Sequence, residues 1–393
     1  MPQQKEIVIA GAGLAGLSLA EKLTGTTDAH ITLIAPYITP DNVIPSDKRL
    51  STPIVPAGTI RRLGLDISNT PEVRRTFFGP TPRGPGKRLI GRGVQGFFDG
   101  RFNKEGFYAI DAETARQEVL TRVNALAQET DQLSIQQGTV FDLQKEKGRV
   151  TGVLIRDQEM LHADLVVDAT GKSASLANKL EPHEREVIKL PQPGSLIGGY
   201  LALDMEELAP RYPGIESLVY LDILPGKVAA VLTPAQKIPN SPATHGILIE
   251  GDQQYIQEAY ASVSNKYPPA ERQLLVLQAL AKGTPWHDIL SHTKSLDRVV
   301  VYHHKANTKR TPLLPGIVFH GDAHGFISPI NGTGLSYAAR DTERLTDALT
   351  TSDLDAGAAQ YTKTMQTIFE RRFTHTKRFG VGIRVLGEIF KSI

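Results

Sequence analysis

Ile7-Val8-Ile9-Ala10-Gly11-Ala12-Gly13-Leu14-Ala15-Gly16 is the stretch on which the reading of this chain turns. Residues Lys5 to Ala10 alternate little between apolar and polar, as a strand buried on both faces of a parallel sheet would. Glycines follow at the G-x-G-x-x-G spacing, and Leu17 to Leu23 then reads as a helix. In that context Gly11 permits the tight turn, Gly13 lets backbone approach a pyrophosphate, and Gly16 lets helix and strand pack closely. The phosphates would rest on the helix N-terminus, where free N–H groups and the macrodipole favour anions. A second strand, His30 to Ile34, should end in an acid for the adenosine ribose. That position is Ala35, followed by Pro36 and Tyr37, so ribose recognition is weakened or passes to another group.

Two further segments repeat the theme of a short apolar strand ending in Gly or Asp chemistry. A helix at about 111–127, with Val119, Val123 and Leu126 on one face, leads into short strands that fit a β-meander. The chain then re-enters a buried strand at Leu165 to Val167 and stops at Asp168-Ala-Thr-Gly171, where the acid serves either a ligand or the turn itself. Farther on, Leu313-Leu-Pro-Gly316 is a turn and Ile317 to Phe319 a short strand. Gly321-Asp322 follows, then Phe326-Ile-Ser-Pro329-Ile-Asn331-Gly332-Thr333-Gly334-Leu335 and a helix through Leu345. Asp322 can accept from the hydroxyls of a sugar-like chain. Pro329 and the glycines would present backbone N–H groups at a helix start, where negative charge is stabilised.

These three segments resemble the fingerprints of the FAD-dependent monooxygenase superfamily, the para-hydroxybenzoate hydroxylase fold. Its dinucleotide motif matches Gly11, Gly13 and Gly16, its DG motif Asp168 to Gly171, and its GD motif Gly321-Asp322. The run over the flavin matches Pro329 to Gly334, and the likeness spans residues 1 to about 350. Geranylgeranyl reductases, cyclases and halogenases share much of this pattern. Ala35, Arg49-Leu-Ser-Thr52, Lys172 after Gly171 and the segment Pro213 to Pro225 lean towards styrene/indole monooxygenase-like epoxidases. The tryptophan-containing halogenase motif is missing, since the one tryptophan, Trp286, lies in Thr284-Pro-Trp-His, so halogenation is disfavoured.

The resemblance implies an α/β chain: a discontinuous Rossmann-type FAD-binding domain (1–60, 100–175 and 306–360) and a substrate domain on a mixed β-sheet (61–99 and 176–305). Residues 361–393 form a C-terminal helical segment. It also implies hydroxylation or epoxidation of a small apolar or aromatic molecule with O2, through a C4a-hydroperoxyflavin. Electrons would come from NAD(P)H, directly or through a flavin reductase. The rivals are a geranylgeranyl-reductase-like or cyclase-like flavoenzyme without oxygen transfer, and a non-catalytic flavin-binding regulator. Expected cofactor contacts are Gly11, Gly13, Leu14, Ala15, Gly16, Ala35, Arg49, Arg116, Asp168, Gly171, Gly321, Asp322, Pro329, Gly332, Thr333, Gly334 and Leu335. His324, Phe326, Pro329 and Asn331 are the candidates for a catalytic role, although no conspicuous acid–base pair stands out.

Composition bounds the alternatives. A length of 393 residues favours two domains, and fractions of 22% charged and 40% hydrophobic are those of a globular protein. A formal charge of +2 offers nothing for nucleic acid. With no cysteine there are no disulfides, thiolate metal sites or cysteine nucleophiles. His303-His304 are neighbours on a strand pattern and face opposite ways, so no metal is expected; His320 and His324, which flank Gly321-Asp322, read as structural, the alternative being a hydrogen-bonding or oxygen-activating role. The first residues run straight into a strand, without room for a signal peptide, and no apolar run approaches the roughly 18 residues of a membrane span. A cytoplasmic protein is the expectation. The basic amphipathic stretch 363–393, with Phe369, Phe373, Phe379, Ile383, Leu386 and Phe390, reads as a helix packed on the first domain rather than on a membrane surface, with a bend at Gly380 and Gly382.

Overall fold

The motif-bearing turns all leave one parallel sheet. In the computed structural model, which describes residues 4–38, 54–66, 68, 70, 72–77, 106–157, 160–224, 228–235, 242–327, 334–351 and 353–392, this sheet has five strands. They are β1 (Glu6–Ala10), β2 (His30–Ala35), β3 (Leu133–Gln137), β4 (Leu165–Asp168) and β5 (Ile317–Phe319), in the order β5-β4-β1-β2-β3. β1 lies between β4 and β2, with Ile9 level with Val167 and Leu33. One sheet face, with Ile7, Ile9, Leu33 and Val167, packs on α1 (Leu14–Leu23), α2 (Ala112–Glu129) and α3 (Gly334–Thr351). The other, with Val8, Val166 and Phe319, packs on a three-stranded meander (Val140–Glu146, Arg149–Ile155, Met160–His162). Burial on both faces is why these strands carry continuous apolar runs.

The second layer is a mixed nine-stranded sheet. Its spine is an antiparallel pair, Arg185–Leu203 against Thr293–Pro312, that runs nearly the length of both strands. His245–Gly251 and Val228–Pro234 continue it antiparallel, while Leu218–Leu224 pairs parallel with Glu72–Phe77. Ile197, Leu201, Leu232, Ile247 and Ile249 bury one face against the helices Gln253–Ser262, Pro269–Ala281 and Pro285–Ser291, with Trp286 at the centre. By the alternation of a strand, Gly198, Tyr200, Val231, Thr233 and Leu248 point the other way. The Tyr200 hydroxyl donates to Asp111, just ahead of α2, at 2.9 Å, so this opposite face looks at the first domain.

Three expectations are adjusted. α1 starts at Leu14 rather than Leu17, because Gly13 already adopts the extended backbone of a cap. The C-terminal helix α4 (Leu354–Ser392) begins seven residues ahead of the expected boundary at 361, its first turn satisfied by Asp353. It also continues through Gly380 and Gly382 without a break, since a glycine in a helix costs only about 1 kcal/mol against Ala. Among the described residues, no helix is long and apolar enough to cross a membrane.

Candidate cofactor site

The turn after β1 is built around two close backbone approaches. Gly11 has φ +114° and donates its N–H to Ile34 at 2.8 Å; a Cβ on it would lie 2.4 Å from the Ala169 carbonyl oxygen. A Cβ on Gly16 would lie 1.9 Å from the Gly11 carbonyl oxygen. Gly13 is different: a Cβ there would meet nothing within 4 Å. The start of α1, at Leu14 and Ala15, has neither a capping side chain nor an acidic residue in its first turn. Open space above unpartnered helix N–H groups is what an anion needs.

Asp168 does something other than expected. It is fully buried, and its carboxylate accepts from Thr170 N (3.0 Å), Thr170 Oγ1 (2.6 Å), Leu176 N (3.1 Å) and Ala177 N (2.8 Å). Burial pushes its pKa up, and these donors oppose that rise. The acid organises the loop 168–177 from inside rather than turning towards a ligand. Gly171, with φ +70° and open space beside it, carries the loop outward. Ala35 is buried at the end of β2, and its carbonyl accepts from Gly138 N.

The third turn closes on the first. His320 N donates to the Asp168 carbonyl at 2.9 Å, and a Cβ on Gly321 (φ +59°) would sit 3.0 Å from the Ala15 Cβ. Asp322 is exposed; the surrounding protein pushes its carboxyl up to about 6 against the pull of Lys172 and Arg310, and solvent at its open side weakens that push. The Lys172 ammonium lies 4.8 Å from the centre of the Phe326 ring, and burial lowers its pKa. Gly334 opens α3 with nothing within 4 Å of a Cβ, and Leu335 packs beside Val55 and Ile60. Arg49, Pro329, Asn331, Gly332 and Thr333 lie outside the described residues.

Arg116 is buried on α2. Its Nε and Nη2 bind the Glu113 carboxylate at 3.0 and 2.6 Å, and its Nη1 has no partner. A buried guanidinium N–H without an acceptor is costly, so this atom fits a site completed by a ligand oxygen.

Both histidines of the turn are buried and held neutral, each pushed down to about 4 mainly by burial. His320 contacts Tyr361 Oη (3.1 Å) and Thr342 Oγ1 (3.0 Å), a structural arrangement. His324 stacks edge-on against Phe369 and leaves Nε2 unpartnered. It lines a small cleft between this turn, α3 and α4. Asp341 at that cleft is held by Arg372 in two 2.6 Å bonds and by Arg344 at 2.8 Å. Among the described residues, no group of His, Asp and Glu side chains could hold a metal ion.

Sequence reasoning overlooked Arg310, which reaches the Ala323 and Lys172 carbonyls, and the Asp341–Arg372 pair. Arg310 gave no signal, being a charged residue in a strand pattern. Asp341 lies seven residues after Gly334, and its partner Arg372 sits 31 residues farther on in the next helix, so no local pattern pairs them.

Comparison with known proteins agrees with this geometry. The family profile of Glucose inhibited division protein A matches residues 104–192. No curated protein matches in sequence. A variant of PqsL from P. aeruginosa superposes with a TM-score of 0.69 at 16% identity, covering 100% of both chains. PqsL in complex with 2-aminobenzoylacetate gives 0.66 at 15%, again over 100% of both chains. The flavin-dependent brominase Bmp2 gives 0.63 at 15%, over 99% of this chain and 93% of its own. The fold is that of the FAD-dependent monooxygenases. In this chain the turns after β1, β4 and β5 lie together, as the Gly11–Ala169 and Gly321–Ala15 approaches show.

Proposed function

We propose that this chain is an FAD-dependent monooxygenase that hydroxylates or epoxidises a small apolar or aromatic molecule with O2. The observation that carries the reading is the open helix start at Gly13, with the turn of Gly321 and Asp322 packed against Ala15; the buried, unpartnered Nη1 of Arg116 supports it separately. These residues fit FAD: N–H groups of α1 for the pyrophosphate, Asp322 for ribityl hydroxyls, Arg116 for an acceptor oxygen. Gly334 at the start of α3 offers further backbone N–H groups to the flavin edge. Reduced FAD, when bound, supplies the electron pair that activates O2. The protein's part is to hold the ring, exclude water and orient the substrate.

The sheet face with Gly198, Val231, Thr233 and Leu248 is largely apolar, which supports a substrate of the same character. PqsL has been crystallised with 2-aminobenzoylacetate, a small aromatic, and this supports the same class for the present chain. NAD(P)H is the electron source, directly or through a separate flavin reductase. FAD titration is the first test, followed by mixing the reduced protein with O2. An oxygen-dependent absorbance transient before return of oxidised flavin, and oxygenated product from an aromatic substrate, are expected. Immediate return with no transient and no oxygenated product would point to a hydride-delivering flavoenzyme instead.

A further inference from the structure

The two layers of the molecule share one buried carboxylate. Asp111 caps α2, with Oδ2 accepting from Thr114 N at 2.7 Å and from Thr114 Oγ1 at 2.9 Å. Its Oδ1 accepts from the hydroxyl of Tyr200, which comes from the spine of the second sheet, at 2.9 Å. Both side chains are buried. Ladder geometry is adjusted at this point. The pairing with Thr293–Pro312 slips between Gly198 and Tyr200, and Tyr200 faces Gly246 on the other neighbour, where no side chain competes with its ring. Bulges of this kind re-aim a side chain.

Arg116 stands one turn along α2 from that cap. Glu113, which grips two of its nitrogens, lies in the first turn itself. The direction of the unpartnered Nη1 is therefore set by the turn that Asp111 holds. We propose that Tyr200 is a positioning residue of the cofactor site, acting from the substrate sheet through Asp111 on the first turn of α2 and so on Arg116. The inference rests on the FAD reading above. The layer that meets the substrate then also holds one of the groups that meets the cofactor, as a supporting shell must for a site to stay in register.

The experiment is a double-mutant cycle read by FAD affinity, with thermal unfolding of the apo protein alongside. Tyr200→Phe keeps the ring and removes the hydroxyl. FAD should bind roughly 3- to 10-fold more weakly, the worth of one hydrogen bond. In an Arg116→Gln background the same Tyr200→Phe step should change FAD affinity by less than about twofold, because the group it positions is gone. A merely structural tyrosine would lower apo stability and weaken FAD by the same factor in both backgrounds, and that result overturns the proposal. So does an FAD affinity that Tyr200→Phe leaves unchanged while Arg116 is in place. Should Tyr200→Phe fail to fold, Asp111→Asn, which keeps an acceptor for Thr114, takes its place in the cycle, and the same two outcomes support or overturn the proposal. Wild-type protein that takes up no FAD in either redox state removes the FAD reading and this inference together; wild-type uptake with additive variants removes this inference alone.

Discussion

Gly13 and Gly16 stand three residues apart, yet their surroundings separate binding from folding. A methyl on Gly16 has no room beside the Gly11 carbonyl, whereas one on Gly13 enters open space. Gly16→Ala should therefore destabilise the apo protein by about 3 kcal/mol or more, read by urea unfolding. Gly13→Ala should leave apo unfolding within about 0.5 kcal/mol of wild type and weaken FAD at least roughly tenfold, because the methyl takes the place of phosphate. Acid stability is also a residue-scale matter. His320 and His324 are pushed down to about 4 from 6.5, so the stability they confer is full above pH 6.5 and is lost as pH falls through 4. Each contributes on the order of 3 kcal/mol. Asp322, pushed up to about 6, runs the other way, losing its contribution as pH rises from 3.8 through 6. The urea midpoint should fall between pH 7 and pH 4.5. Asp322→Asn should raise the midpoint at pH 7 and make the acid fall steeper; a shallower fall would contradict the assigned directions.

At the scale of elements, α4 is fastened to the rest by a short segment. Tyr361 meets His320, the Phe369 ring occupies the space a Cβ on Gly325 would need, and Arg372 grips Asp341 while lying 4.0 Å over the Tyr337 ring. Asp341 is nearly inaccessible, so Asp341→Ala strands two guanidinium groups and should cost about 3–5 kcal/mol in urea unfolding. The packing of Phe369 on the first domain was legible in the apolar positions of this stretch, whereas the Asp341–Arg372 pair was not, because residues 341 and 372 sit on different helices and their meeting depends on how those helices cross. The strands and their turns were legible, since a buried parallel strand needs an unbroken apolar run and the turn after it needs glycine. Asp168 marks the limit. Its spacing showed that an acid belongs at the strand end, but whether the carboxylate looks outward or into its own loop is decided by Leu176 and Ala177, whose N–H groups turn back to it. Arg116 was legible as a cofactor candidate, and Tyr200 was not, because a tyrosine in a strand pattern gives no sign of the layer it faces.

For the whole molecule, the first domain is assembled from segments far apart in the chain, with β1 and β4 side by side. A ligand that bridges the turns after those strands ties the assembly together and must stabilise it by mass action. At a hundredfold excess over Kd, FAD should add about 2.7 kcal/mol to unfolding, seen as a higher urea midpoint, with no such shift from an equal concentration of riboflavin. Equal shifts from both would place the affinity in the ring rather than in the pyrophosphate turn.

The spine of the second sheet has a mechanical side. Arg185 to Leu203 runs beside Thr293 to Pro312, and the end near Arg185 lies close to the loop that Asp168 organises, through the Arg185–Ala177 and Arg185–Asn178 contacts. The nineteen residues of that strand span roughly 60 Å, and its ladder shifts register at three points, between Pro191 and Gly194, Gly198 and Tyr200, and Ala202 and Leu203. Each shift bends the strand and tightens its twist, so the spine is a jointed rod and not a straight one, with its middle joint at Tyr200.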